Sequence, residues 1–294
     1  MTDTIVNNYR ILAKIGEGGM GDVFLAEHVR LKRKAALKFL SREILNDKES
    51  LVRFEREALA ISAINHPTIV TIYDIDAFEE VPYLAMEYVD GVSLKTLLDH
   101  QSNLPVDIAI HLQYQIAQGL LKTHQASIVH RDIKPANIMV SREGYIKILD
   151  FGLAKLMDAS RITRSEHTLG TVHFIAPEMY LGKDVDHRAD IWGIGVLFYQ
   201  MLTGELPFEG SNLHKVMFSV VNKAPVSLHE KKADLPVELQ GIINKCLVKN
   251  RDERYQSLSE MIEDLVALSM QFVVAQGVTS EAQVAKYIKE IQAK

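Results

Sequence analysis

Eight consecutive residues, His130-Arg131-Asp132-Ile133-Lys134-Pro135-Ala136-Asn137, bring together a candidate base, two cations and an amide, and Asp150-Phe151-Gly152 follows after a short strand pattern. The Asp132 carboxylate can accept a hydroxyl proton, Lys134 can neutralise a phosphoryl group in transfer, and Asn137 with Asp150 offers the hard oxygen ligands that magnesium prefers. His130 is read as a packed, hydrogen-bonded residue rather than as a catalyst or a ligand. The scattered histidines, His111 and His124 among them, show no paired metal-ligand spacing.

Gly16-Glu17-Gly18-Gly19-Met20-Gly21-Asp22-Val23 has the form G-x-G-x-x-G-x-V, in which residues without Cβ let backbone amides approach phosphate oxygens. The same spacing suits a plain glycine-rich hairpin turn. A dinucleotide fingerprint is disfavoured, because that motif opens a helix and here Val23-Phe24-Leu25-Ala26 continues as a strand. Lys38 lies within an apolar strand pattern, and Glu57 lies inside the apolar stripe of a helix, where a carboxylate costs several kcal/mol unless a cation pairs it. A Lys38–Glu57 bridge would solve both problems and let the ammonium reach phosphates; an outward-facing lysine and a glutamate at the stripe's edge are the plainer alternative.

The elements that must hold these groups differ between the two ends of the chain. From Tyr9 to about Val89 the pattern is strand-rich, with a hairpin around residues 16–21, further strands over 35–40, 69–75 and 81–88, and one helix. That helix starts near Asn46 or Asp47, which can cap it, and carries Leu51, Phe54, Ala58, Ile61 and Ile64 on one stripe. After Gly91 the periodicity is helical over 93–100, 105–125, 186–203, 213–222, 238–248 and 257–270. Residues 128–153 are irregular, and a long loop runs on to about Pro177, a length usually reserved for function. Residues 271–294 read as a turn at Gly277 and one amphipathic helix.

Composition bounds the reading. The chain has 294 residues, 47% hydrophobic and 24% charged, enough for one large domain or two lobes with a sizeable core. Its 33 basic and 38 acidic residues leave a formal charge of −5, which rules out whole-chain disorder and gives no electrostatic footprint for nucleic acid. Any nucleotide bound is therefore a small one. The single cysteine, Cys246, forms no internal disulfide and indicates a reducing compartment. The longest uncharged apolar run, residues 191–202, reads as a buried core helix, short of the roughly twenty residues of a membrane span. The first residues lack a secretory pattern.

Taken in order, the glycine loop, Ala35-Ala36-Leu37-Lys38, the helix glutamate, His-Arg-Asp with its asparagine, Asp-Phe-Gly and Ala176-Pro177-Glu178 make the chain resemble a eukaryotic-like (Hanks-type) serine/threonine protein kinase over about residues 9–268. Asp132-Ile-Lys-Pro-Ala-Asn and Gly170-Thr171 look like the serine/threonine branch, and Gly-Glu-Gly-Gly-Met-Gly like its bacterial members. The resemblance implies an α+β, two-lobed kinase fold within residues 1–268: a small β-sheet lobe with one main helix (about 9–86), a hinge (about 87–91) and a larger, mainly helical lobe (about 92–268). Residues 269–294 would be a helical extension of unreadable role.

The implied chemistry is transfer of the ATP γ-phosphoryl to protein serine or threonine hydroxyls, with magnesium, or manganese in its stead. Asp132, Lys134, Lys38 and Glu57 would be catalytic, and Asn137 and Asp150 would hold metal. Gly16, Gly18 and Gly21 would cover phosphates; Ile15, Val23, Ala36, Met139 and Leu149 would enclose adenine, with Met86 as gatekeeper and Glu87 and Val89 giving hinge backbone bonds. Glu178 would pair with Arg254, Asp190 would brace the loop from His130 through Arg131 to Asp132, and Thr171 would bond Asp132 and Lys134. Thr168, then Thr163 or Ser165, are the candidate phosphorylation sites of a switch read by Arg131. Implied partners are a protein substrate and a second copy for trans-autophosphorylation; no nucleic acid and no membrane segment are expected, and the location is cytoplasmic, any anchor lying in a longer natural chain. Departures (Ala35 for valine, Ile133 for leucine, Arg251 where proline is common) touch no catalytic group. The rival from another class is a nucleotide-binding module that signals by conformation without transfer.

Overall fold

A computed structural model describes residues 3–18, 21–41, 45, 47–151, 172–272 and 280–292, which divide into two units, 1–90 and 91–294. In the first unit, strands β1 (Ile5–Val6), β2 (Tyr9–Gly18), β3 (Gly21–His28), β4 (Lys34–Phe39), β5 (Ile72–Phe78) and β6 (Val81–Glu87) form an antiparallel sheet in the order β1-β2-β3-β4-β6-β5. Paired residues of neighbouring strands face the same way. The registers Phe24↔Leu37↔Ala85 and Phe39↔Tyr83 therefore collect one apolar face, with Ile11, Ala26 and Ala35 completing its core. The opposite face collects Gly16↔Val23↔Lys38↔Leu84 and Leu25↔Ala36↔Met86. Strand β4 is consequently buried on both faces, and Lys38 is only 4% exposed.

Gly21 opens β3 at φ +130°, and a Cβ built there would fall 1.8 Å from the carbonyl oxygen of Phe39. Both the backbone conformation and the close approach demand glycine. Gly21→Ala should destabilise the first unit by about 2 kcal/mol or more; a urea midpoint equal to that of the parent would show that β3 and β4 separate easily.

Helix α1 (Lys48–Ser62) is capped by Asp47, whose Oδ1 accepts from the Glu49 amide at 3.1 Å. Phe54, Ala58 and Ile61 form its buried face, with Val52 and Leu59 outward. The helix stops before Ile64, because the approach to Pro67 disfavours helical backbone. The following strand also starts later than its apolar residues suggest: Ile69 and Val70 are buried in the connection, where the Ile69 amide bonds the His66 carbonyl, and pairing with β6 begins at Ile72.

The second unit has a three-stranded antiparallel sheet, β7 (Gly91–Ser93), β8 (Ile138–Ser141) and β9 (Ile146–Ile148), in that order. Its helices are α2 (Leu94–Gln101), α3 (Val106–Gln125), α4 (Pro177–Tyr180), α5 (Arg188–Thr203), α6 (Leu213–Asn222), α7 (Leu228–Lys231), α8 (Val237–Cys246), α9 (Leu258–Phe272) and α10 (Ser280–Gln292). Apolar residues all round α5 make it the central helix, against which α3 and α8 pack. Its Trp192 is fully buried and stacks on Phe208 at 5.3 Å between ring centroids. Cys246 is a buried free thiol, its pKa pushed up by burial. Among the described residues, no helix is long and apolar enough to cross a membrane.

Candidate active site

The loop 128–134 has no regular structure, so its shape depends on side chains that bond its backbone. Asp190, in the first turn of α5 and 1% exposed, supplies the main anchor: its Oδ2 accepts from the His130 amide at 2.8 Å and its Oδ1 from the Arg131 amide at 2.7 Å. His124 Nε2 donates to the same carboxylate at 2.8 Å. Burial alone would raise the Asp190 pKa, but the His124 hydrogen bond, with His130 nearby, outweighs it and holds the carboxyl below its usual range. Arg131 takes φ +64°, which the two bonded amides enforce.

His130 is fully buried and committed at both nitrogens. Its Nδ1 accepts from the Asp132 amide at 3.2 Å, so Nε2 carries the proton and donates to the Leu149 carbonyl at 2.8 Å. Burial lowers its pKa, with Asp190 opposing, and keeps it neutral. The imidazole thus ties the loop to the segment that delivers Asp150, and it packs on Phe151 at 4.6 Å. A second tie is the Leu149 amide bonding the Asn137 carbonyl at 2.8 Å.

Asp132, 3% exposed, sits within this frame. Its Oδ2 accepts from Asn137 Nδ2 at 3.0 Å and pairs with Lys134 Nζ at 2.9 Å, while Asn137 Nδ2 also donates to the Asp132 carbonyl at 2.8 Å. These bonds fix the Asn137 amide with its nitrogen toward Asp132, which leaves the oxygen Oδ1 as the hard donor. Asp150 follows β9 at φ +50°, a turn that directs the chain away from the strand. The donor set fits a hard divalent cation, namely one amide oxygen and one carboxylate on segments tied together by the Leu149 and His130 bonds.

Further from the loop, Glu178 at the start of α4 receives both Arg254 terminal nitrogens at 2.7 Å, with side chains 5% and 0% exposed. Arg254 also donates to the carbonyls of Val248, Arg188 and Lys249.

The first unit gathers its share separately. Gly16, Val23, Ala36, Lys38 and Met86 lie on one sheet face, where Ala36 and Met86 are directly paired. Ile15 is 47% exposed at the register shift beside Gly16. Glu57 is half-buried on α1. Glu87 points to the other face, and its amide already bonds the Thr71 carbonyl at 2.8 Å, so a hinge contact from it falls to its own carbonyl. Val89 follows β6, and Met139 and Leu149 are half-buried in the second unit.

Gly152, Thr163, Ser165, Thr168 and Thr171 lie outside the described residues, as do Gly19 and Met20. Sequence reasoning set His124 aside as lacking metal-ligand spacing and did not weigh Gln115; His124, half-buried, bonds the Asp190 carboxylate that anchors the loop, and buried Gln115 bonds the β8–β9 hairpin. The position of His124 at the end of a helix, shortly before His130, was the available signal.

A family model for the protein kinase domain matches residues 9–267. The chain is 38% identical over 266 residues to the serine/threonine-protein kinase PknB of Mycolicibacterium smegmatis, covering 88% of this chain and 43% of that protein. It is 36% identical over 261 residues to the serine/threonine-protein kinase PrkC of Bacillus subtilis, covering 89% and 40%. The chain spans about two fifths of the length of the curated relatives it matches. Among solved structures, the PknI kinase domain of Mycobacterium tuberculosis superposes with a TM-score of 0.75 at 26% identity, over 92% of this chain and 99% of that one.

Proposed function

The chain belongs to the protein kinase domain family, and from that premise we propose that it transfers the γ-phosphoryl group of ATP to serine or threonine hydroxyls of proteins, itself included. The observation that carries the reading is Asp132, buried yet held by Lys134 and Asn137 in a loop whose backbone ends on Asp190. A carboxylate so fixed orients a substrate hydroxyl and accepts its proton, while Lys134 beside it offsets charge on the moving phosphoryl.

Asn137 and Asp150 would hold magnesium, or manganese in its place, which when bound neutralises phosphate charge. Lys38, on the sheet face with Ala36 and Met86, grips phosphate oxygens, and Glu57 on α1 restrains it. The apolar residues of that face and Ile15 would contact the base, a role also assigned to Met139 and Leu149 of the second unit, and Glu87 and Val89 would contribute backbone bonds. Arg131 reads phosphate on Thr168, Thr163 or Ser165: its Nε is buried without a hydrogen-bond partner among the described residues, so an added phosphate would satisfy it. Autophosphorylation between two copies would load that site. Use of ATP and a free, buried Cys246 favour work on the cytoplasmic side.

The test is incubation of the purified chain with γ-labelled ATP and magnesium, followed by phosphosite mapping. Label on serine or threonine is expected, and Asp150→Asn should abolish magnesium-dependent nucleotide binding. Nucleotide binding without any transfer would identify a signalling module instead. Transfer with no phosphate within residues 152–171 would remove the switch and leave the enzyme.

A further inference from the structure

Helix α10 lies beyond residue 267, where the family match ends, yet it is docked on the second unit. Val284 and Ile288, one turn apart, are fully buried, and the helix packs on α3, α2 and β8. Its first turn meets the tip of the β8–β9 hairpin. Gly144 there takes φ +88°, and a Cβ built on it would fall 2.6 Å from the Glu281 carbonyl oxygen, so the two backbones touch. From the other side Gln115 of α3 clips the same tip: its Oε1 accepts from the Ile146 amide at 3.1 Å and its Nε2 donates to the Gly144 carbonyl at 3.4 Å. His111, one turn earlier on α3, bonds Gln115 at 2.7 Å and stands 3.7 Å from the Glu281 carboxylate. The tip is therefore held between α3 and α10.

At the base of that hairpin, Asn137 comes immediately before β8 and Asp150 two residues past the end of β9. A hairpin this short moves as one piece, so fixing its tip fixes the tilt with which its base presents the two groups. We propose that α10 is a strap that clamps the hairpin tip and thereby positions Asn137 and Asp150, making a helix outside the family's shared domain a positioning element of the phosphotransfer site. The metal half of this inference rests on the metal roles given to those two residues under the proposed function.

The experiment is Val284→Asp/Ile288→Asp in the intact chain, which puts carboxylates where no water reaches and so expels the helix. Hydrogen exchange over 281–292 verifies undocking. The Ile146 amide should then exchange about tenfold faster or more, and half-saturating magnesium for nucleotide binding should rise about tenfold. The conservative pair Val284→Ile/Ile288→Val should restore both. Should the double aspartate variant fail to fold, Ile288→Ala supplies smaller shifts in the same two readouts. Undocking with unchanged Ile146 exchange overturns the strap. Faster Ile146 exchange with unchanged magnesium demand overturns its link to the site. Asp150→Asn in the same assay separates the readings: if it leaves the magnesium demand unchanged, the metal assignment falls, and Ile146 exchange alone judges the strap.

Discussion

Asp132→Asn is expected to bind ATP about as well as the parent and to transfer phosphate about 10²–10⁴-fold more slowly. The substitution keeps volume and one oxygen, so the bonds that Asn137 and Lys134 direct at the side chain retain an acceptor. What disappears is the anionic oxygen able to take a hydroxyl proton, which acts in the transition state and contributes little to nucleotide affinity. Single-turnover phosphotransfer beside equilibrium nucleotide binding measures the two separately. Equal loss in both would recast Asp132 as a scaffold residue, and turnover within about threefold of the parent would strip it of the base role.

Glu178→Ala is expected to destabilise the second unit by about 3–5 kcal/mol, because it leaves the Arg254 guanidinium buried without a counter-charge. The three carbonyls that Arg254 also reaches are neutral and do not replace the carboxylate. Glu178→Ala/Arg254→Met should cost less than Glu178→Ala alone, since it removes the stranded charge as well. Urea unfolding of the set decides the matter. A cost below about 1 kcal/mol for Glu178→Ala would give this pair the worth of a surface ion pair.

The contrast between these two sites marks what was legible in the sequence. Asp132, Lys134, Asn137 and Asp150 could be read directly, because their chemistry is concentrated in short segments whose residue types have few other uses. The strands themselves were legible as short apolar runs, but β4 is buried on both faces, so alternation could not say which way Lys38 points. Glu178 and Arg254, separated by 76 residues, could be joined only through resemblance, since nothing local in either neighbourhood asks for the other. The start of β5 was misplaced for a physical reason. Ile69 and Val70 are apolar because they are buried, and burial alone does not distinguish a ladder from a connection. The amide orientation of Asn137 and the docking of α10 depend on contacts across the fold, and periodicity says which face of a helix is apolar without saying what covers it.

The loop that carries Asp132 also has a history during synthesis. Its two anchoring amides end on Asp190, 60 and 59 residues further along the chain. At about 5–20 residues per second, the ribosome adds Asp190 roughly 3–12 s after Arg131. Through that interval the emerging chain already holds the complete first sheet and the whole His-Arg-Asp segment, but not the carboxylate that shapes it. The loop is therefore made before its anchor, and its shape arrives with the central helix rather than with its own residues.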